Sequence, residues 1–477
     1  MPRVSSLSLV LSPALPSFRR AFSGVRLRLH CPSDVRQISS LGTPQVASMA
    51  VSPAAPPRSA YVHLPFCRRR CHYCDFPIVA LGSPLSSPGN YDDDPRVADY
   101  VSLVLREIAA ATGGAAPQDY PPLETIFFGG GTPSLVPPRM VSGILDALRS
   151  SFGVSAGAEI SIEMDPGTFD AQRLRDMLRT GVNRVSLGVQ AFQEELLMAC
   201  GRAHGVAEAH QAVEIVAGGL DNWSMDLISS LPHQTAAMWE ETLKLAAASS
   251  PAHVSVYDLQ VEKGTKFGQL YTPGELPLPS ENQSAEFYRM ASEMLAGAGY
   301  EHYEISSYAK PGFQCRHNLT YWQNRPFHGF GLGAASYTSG ARFTRPRRMK
   351  EYASYVSDLE GGAAAAAPPP PESADGKDAA MDVVMLSLRT ARGLDMKELA
   401  AGFGGELAAA ICRAFELYVD SGHVVAMDEE MAVIPASSFR RREELAGGGV
   451  AFLRLSDPDG FLLSNELISI LFGVISP

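Results

Sequence analysis

Tyr61-Val62-His63-Leu64-Pro65-Phe66-Cys67-Arg68-Arg69-Arg70-Cys71-His72-Tyr73-Cys74 joins an apolar, β-branched run to three cysteines spaced C-x3-C-x2-C. The run 61–64 has the composition of a strand, and the cysteines follow it on one short loop. Three thiolates so placed can reach three corners of a cubane [4Fe-4S] cluster, which leaves the fourth iron open to a small molecule. Arg68, Arg69 and Arg70 favour the thiolate form and offset the cluster's negative charge. A structural zinc ion is the competing reading, with His72 as fourth ligand. No second C-x2-C closes its tetrahedron, however, and His72 would be strained between two ligating cysteines. Cys200, Cys315 and Cys412 read as ordinary buried thiols. Seven cysteines, three of them clustered, argue against a disulfide framework.

Outward from this stretch, strand-like runs at 61–64, 124–128, 160–163, 184–189, 223–228 and 253–259 alternate with helical patterns. Val97, Val101, Val104, Leu105 and Ile108 share one face of a helix that Asp94-Pro95 starts. A second helix starts near Asp170, buries Leu174, Met177 and Leu178 and stops at Gly181. Six strand–helix units predict an α/β fold, a partial (βα)6 TIM-type barrel over 59–300 that stays open and carries its chemistry at the carboxyl ends of the strands. Residues 301–360 extend the barrel, and 361–380, GGAAAAAPPPPESADGKDAA, have the composition of an extended linker. Residues 381–477 form a small, mostly helical C-terminal domain, with helices at 381–388, 396–403 and 408–421 and then two strand-like runs. No function is legible in it.

A length of 477 residues, 45% apolar and 19% charged, suits one large domain and a smaller one. The first 58 residues differ: seven Arg, no Lys and the single acid Asp34 give a balance of +6, which leaves −17 for the rest of a chain whose total is −11. An Arg- and Ser-rich, acid-poor leader reads as an organellar transit peptide. Arg20-Ala21-Phe22-Ser23 resembles a mitochondrial processing site, a chloroplast address has much the same composition, and Met49 offers an internal start in the cytoplasm. The order of preference is mitochondrion, chloroplast, cytoplasm. The acidic body argues against nucleic acid as a partner, and no apolar run approaches the roughly 18 residues that cross a bilayer.

Gly129-Gly130-Gly131-Thr132-Pro133 follows the second strand, where glycines let a backbone approach a ligand with exposed N–H groups facing it. Glu163, at the end of the third strand, can accept hydrogen bonds from ribose hydroxyls. Gln190 follows the fourth strand and Asp226 lies in the fifth. The competing reading of each is a satisfied polar residue inside a barrel, which their placement at matched strand positions disfavours.

The C-x3-C-x2-C spacing, with Tyr73 before the third cysteine, resembles the signature of the radical S-adenosylmethionine (SAM) superfamily. Within it, 61–76 resemble the HemW haem-chaperone branch of the oxygen-independent coproporphyrinogen III dehydrogenase family, and motifs match in order over roughly 59–470. The resemblance implies Cys67, Cys71 and Cys74 as cluster ligands and Tyr61, Tyr73, Gly131, Thr132, Glu163, Gln190, Arg202 and Asp226 as SAM contacts, with Gln260 a weaker candidate. It further implies reductive cleavage of SAM to methionine and a 5′-deoxyadenosyl radical. Ser230-Leu231-Pro232-His233-Gln234-Thr235 departs from the family's Gly-Leu-Pro-Gly-Gln-Thr, so a different backbone path is expected there.

Two features separate the branches. The dehydrogenases resemble C-x3-C-x2-C-x-C, whereas this chain has Phe76 at the last position. His317-Asn318-Leu319-Thr320-Tyr321-Trp322 matches the H-N-x-x-Y-W motif that the chaperone branch associates with haem, with an imidazole for the iron and Tyr321 and Trp322 as flat apolar surface. The chaperone reading implies haem, an acceptor haemoprotein, with a respiratory one as a candidate, and an electron donor as partners; a homodimer stays open. The alternative is an enzyme that decarboxylates two propionates of coproporphyrinogen III to vinyl groups.

Overall fold

Six strands alternate two kinds of side chain, and the alternation builds the barrel. In a computed structural model, which describes residues 55–82, 91–112, 120–363, 376–441 and 449–476, these are β1 Ser59–Leu64, β2 Leu123–Gly130, β3 Val154–Met164, β4 Arg184–Gln190, β5 Trp223–Ser229 and β6 His253–Asp258. They pair in chain order and all in parallel. Ala60, Val62, Leu64, Ile126, Phe128, Ile160, Ile162, Val185, Leu187, Met225, Leu227, Val254 and Val256 belong to one apolar core shared with the surrounding helices. The residues of opposite parity point inward, and they are mostly polar: Ser59, Thr125, Glu159, Ser161, Glu163, Arg184, Ser186, Ser224, Asp226, His253 and Ser255.

The intervening helices form where capping and periodicity place them. In α1, Pro95–Ala111, the Asp94 side chain accepts from Arg96 N at 3.0 Å, and Val97, Val101, Val104 and Ile108 are buried. After α2, Pro138–Phe152, comes α3, Ala171–Arg179, capped by Asp170 on Arg173 N at 2.8 Å. Gly181, at φ +112°, ends that turn. Then come α4 Val206–Ala217, α5 Ala236–Ser249 and α6 Glu281–Gly297.

Beyond residue 300 the chain finishes both edges of the sheet. β7, Glu301–Glu304, and β8, Ser307–Ala309, add antiparallel strands at the β6 edge, while β9, His328–Phe330, pairs parallel with β1 at the other. The nine-stranded sheet stays open. Between β8 and β9 the chain crosses beneath the amino ends of the strands as α7, Arg316–Trp322. The hairpin β10 Ala335–Thr338 and β11 Ala341–Thr344 follows, then α8, Met349–Glu360.

The C-terminal domain packs α9 Gly376–Ser387, α10 Met396–Phe403, α11 Gly405–Asp420 and α12 Ser464–Ile475 with three short antiparallel strands, β12 Leu394–Asp395, β13 Val424–Met427 and β14 Phe452–Leu455. The sheet thus has three strands where the sequence suggested two, because two residues are too few to show a period. The final five residues of the expected linker, 376–380, are helical, and Ala380 is buried in this domain's core. Residues 1–54, with Cys31, the Arg20 processing sequence and Met49, and the four prolines at 368–371 lie outside the described residues. Arg58, counted with the leader, instead serves the barrel: its guanidinium meets Glu124 at 2.6 Å and its carbonyl accepts from Glu124 N at 2.7 Å.

A buried ion pair holds β9 against α1. Arg345 Nε donates to Glu107 Oε1 at 2.7 Å, and Glu107 Oε2 also accepts from Tyr352 Oη at 2.6 Å and Gly331 N at 2.8 Å. Both charges are almost fully shielded from water. Glu107→Gln keeps the shape and strands the Arg345 guanidinium, and should cost about 3 kcal/mol. Urea denaturation of the two chains checks this; an unchanged midpoint would show that the pair contributes nothing net.

Candidate functional site

Cys67, Cys71 and Cys74 emerge directly from β1 as free, half-buried thiols on one loop. Strand β2 clamps that loop. Gly131 N donates to Leu64 O at 2.9 Å, Thr132 N to Phe66 O at 2.6 Å and Thr132 Oγ1 to Cys67 Sγ at 3.5 Å. Gly130 N goes to Glu163 Oε2 at 3.0 Å. The amides expected to face a ligand are therefore used within the protein. The glycines have steric reasons instead: a Cβ on Gly130 would stand 2.4 Å from the His63 ring, and one on Gly131 2.6 Å from the Phe66 carbonyl oxygen. A Cβ on Gly129 would enter the crevice between the Tyr61 ring and Glu163 Oε1, at 2.9 and 3.0 Å.

Arg202 ties the loop to the strand exits. Its Nη1 reaches Tyr73 Oη at 3.1 Å and Cys71 Sγ at 3.5 Å, and its Nη2 is bonded to Asp165 and to Gly188 O at 3.0 Å. Burial alone would raise Asp165, but Arg202, with His204 and Arg68, outweighs it and holds the carboxyl below its usual range. Asp165 and His204 were missed in the sequence, although Glu159, Ser161, Glu163 and Asp165 fall on one face of a period-two run.

Burial pushes the Cys67 thiol up to about 12 and Cys74 to about 11. A cationic iron core reverses that preference, so the donor set fits a cluster. Among the described residues no three His, Cys, Asp or Glu side chains gather around a single metal ion. His72, the candidate fourth zinc ligand, is bonded on both nitrogens, to Ala199 O at 2.9 Å and Lys266 Nζ at 3.0 Å.

Most of the residues matched to SAM lie inside the barrel, on the strands or at their ends. Tyr61, 1% exposed, stacks on Phe127 at 6.3 Å and meets His63 Nδ1 at 3.2 Å. Asp226 accepts from Ser186 Oγ at 2.8 Å and Ser224 Oγ at 3.3 Å, yet burial still raises it. Glu163 has Gly130 N as its hydrogen-bond donor, and burial, aided by Asp226, raises it to about 8. Gln190, at φ +70°, turns the chain out of β4, and Gln260 Nε2 meets Asp258 O at 3.4 Å. Ser161 Oγ and Arg184 Nε, also inside the barrel, have no protein partner. Unmet polar atoms of this kind suit a polar ligand or ordered water. In the departing loop Ser230 and His233 adopt φ +61° and +67°, so the change of path expected from the loss of two glycines does not occur: both residues take the left-handed conformation that glycine favours, at a cost of about 1 kcal/mol each.

The H-N-x-x-Y-W residues lie elsewhere. On α7 they plug the amino end of the barrel, opposite the cysteine loop. His317 Nδ1 meets Thr125 Oγ1 at 2.8 Å, Nε2 meets Tyr321 Oη at 2.7 Å, and the ring stacks on Phe127 at 5.2 Å. Burial pulls its imidazole down to about 3. Asn318, Tyr321 and Trp322 are buried too, the last two in the core of the C-terminal domain. In this conformation the motif offers no surface to a porphyrin. Cys315 is a buried thiol against Glu159 Oε1 at 3.7 Å, as its sequence context suggested.

Because Glu163 is raised, folding favours its proton, and the ionised form weakens the fold increasingly from about pH 4.5 to about pH 8. Glu163→Gln should therefore leave the ligand-free melting temperature unchanged below pH 4.5 and raise it by a growing margin up to pH 8. A pH series of thermal melts checks this; a pH-independent difference would show that the carboxylate is not strained by burial.

Comparison with known proteins gives the family and the fold. Residues 61–246 match the radical SAM superfamily. The chain is 40% identical to "Heme chaperone HemW" of Synechocystis over 88% of this chain and 97% of that one, and 39% identical to "Heme chaperone HemW" of Escherichia coli over 58% and 70%. It is 30% identical to the zebrafish "Radical S-adenosyl methionine domain-containing protein 1, mitochondrial" over 62% and 64%. The solved coproporphyrinogen III oxidase (HemN) of Escherichia coli shares the fold at a TM-score of 0.66 and 19% identity, covering 92% of this chain and 98% of that one. With the cysteine loop, the partial barrel and the C-terminal domain all matched across nearly a whole relative, the chain belongs to the HemW family of radical SAM proteins.

Proposed function

We propose that this protein binds haem and transfers it to an acceptor haemoprotein, on a scaffold that holds a [4Fe-4S] cluster at Cys67, Cys71 and Cys74 and SAM against Tyr61, Glu163 and Asp226. The observation that carries the reading is the 40% identity that spans 97% of a haem chaperone. Phe76, at the position of the dehydrogenases' fourth cysteine, disfavours decarboxylation of coproporphyrinogen. When bound, the cluster and SAM supply one-electron chemistry. The chain's own residues position them: Thr132 and Arg202 bond the loop's sulfurs, and Gly129 keeps open the crevice between Tyr61 and Glu163.

Haem ligation by His317 and the closed seating of α7 exclude each other, because Tyr321 Oη occupies Nε2. The haem-competent state is then one in which α7 and the C-terminal domain have opened. Tyr321→Phe frees Nε2 at nearly constant volume and should speed haem uptake, whereas His317→Ala should weaken haem binding about 10-fold or more, roughly the worth of an iron–imidazole bond in excess of 1.4 kcal/mol. Neither should change cluster absorbance. Haem titrations followed in the Soret band decide it, and equal affinity in wild type and His317→Ala would remove His317 from the account.

The leader would carry the protein to an organelle, for which the mitochondrial name of the zebrafish relative offers support. Residues 1–58 fused to a fluorescent protein should localise to mitochondria; diffuse cytoplasmic fluorescence would refute the targeting role, and plastid fluorescence would reassign it.

A further inference from the structure

Around the cysteine loop the surface charge runs against that of the chain, which beyond the leader is −17. Two other segments converge on the loop. One holds the short helix Lys266–Leu270, where Phe267 N donates to His72 O at 2.9 Å. The other leads into α8, where Arg347 Nη2 donates to Asp75 O at 2.5 Å. Arg69 and Arg70 on the loop, Lys263 and Lys266 on the second segment, and Arg347 and Lys350 on the third are all exposed. On the same segments the acids are exposed Asp75, half-buried Glu262, and Glu351, which pairs with Arg348 at 3.3 Å. Exposed apolar side chains lie on neighbouring turns, one on the helix of Lys266 and one on the short helix Glu194–Ala199, whose first turn carries exposed Glu194 and Glu195. Leu270 is 58% exposed, and Met198 is 68% exposed beside Cys200, whose carbonyl accepts from His72 N at 2.8 Å.

We propose that this basic rim is the docking surface of an acidic protein that carries one electron to the cluster. The inference rests on the cluster reading given above. The loop is a thin cover: the thiols are half-buried while Arg69, Arg70 and Asp75 on the same loop are exposed, so a carrier seated here lies within a loop's thickness of the thiols that would hold the cluster. Charge orients it as well. An acidic partner is repelled by the body and drawn to the rim, which raises the productive fraction of encounters. Exposed methionine and arginine are both enriched in protein–protein contacts. In the transfer the carrier is oxidised by one electron and the cluster is reduced by one, from the 2+ to the 1+ state. No bond forms or breaks, and no proton moves.

Lys263 and Lys350 lie on the two segments that bond the loop, and neither makes a hydrogen bond or ion pair among the described residues. The test compares the full chain with Lys263→Glu/Lys350→Glu, using a plant-type ferredoxin as the acidic one-electron carrier. Calorimetric affinity is measured on cluster-free protein, and the reduction rate by stopped-flow bleaching on reconstituted protein. Both should fall about 10-fold or more in the double variant at about 50 mM salt, and the difference should close near 0.5 M, where the Debye length is only a few ångströms. Lys263→Gln/Lys350→Gln should fall between. Equal affinity and an equal salt slope in all three chains would overturn the proposal. If no chain assembles a cluster, the reading of the thiols fails, while the affinity measurement still decides the rim.

Discussion

A parallel sheet covered by helices on its outer face must satisfy whatever its inner face carries, and here that face carries three carboxylates. How each is satisfied divides the barrel into a closed end and an open one. Glu159, at the amino end, accepts from Arg316 N at 3.2 Å and His317 N at 3.1 Å, the first amides of α7. A carboxylate at a helix amino terminus is well placed for the helix dipole. Asp226, midway, leans on serine hydroxyls. Glu163, near the carboxyl end, has the Gly130 amide as its hydrogen-bond donor and is raised by burial to about 8. Protein satisfaction thus fades toward the mouth, and that is where a polar ligand would gain most by completing it.

The closed end is also a mechanical joint. His317 and Cys315 on one side of α7 meet Thr125 and Glu159 inside the barrel, while Tyr321 and Trp322 on the other belong to the C-terminal core. A helix of seven residues shared by two cores couples them: moving the C-terminal domain withdraws apolar cover from Tyr321, and Tyr321 holds the His317 ring. Any access to His317 is therefore paid for by opening contacts between the two cores.

The six strands were legible because each is a short run rich in β-branched and aromatic residues, and their order follows from the right-handed crossover rule. Even so, β3 begins six residues earlier than its apolar run, because Val154 pairs with Leu123 across a register shift. The two sheet edges were not legible. β8 and β9 have three residues each, too few for a period, and they form because neighbouring strands offer unpaired backbone. The same limit hid the burial of the H-N-x-x-Y-W residues. An imidazole beside two aromatics looks alike in sequence whether it faces solvent or a core, and only the return of the chain beneath the barrel distinguishes the two. Asp165 and His204 act on the site through Arg202, a contact between strand exits that no local spacing encodes.

The three glycines after β2 show how a motif can be recognised for one reason and required for another. In sequence they suggest a ligand cradled by free amides. In the fold, Gly131 must bring its backbone against the carbonyls of Pro65 and Phe66, and Gly130, at φ +115°, must clear the His63 ring. Their amides hold Glu163 and the first turn of the cysteine loop. Any side chain here would push the loop off β2 by more than a backbone hydrogen bond tolerates, and the sulfurs would move with it. The ligand crevice depends on Gly129 alone, between Tyr61 and Glu163. Two of the three glycines thus serve the placement of the thiols, and the placement of the thiols comes before any ligand.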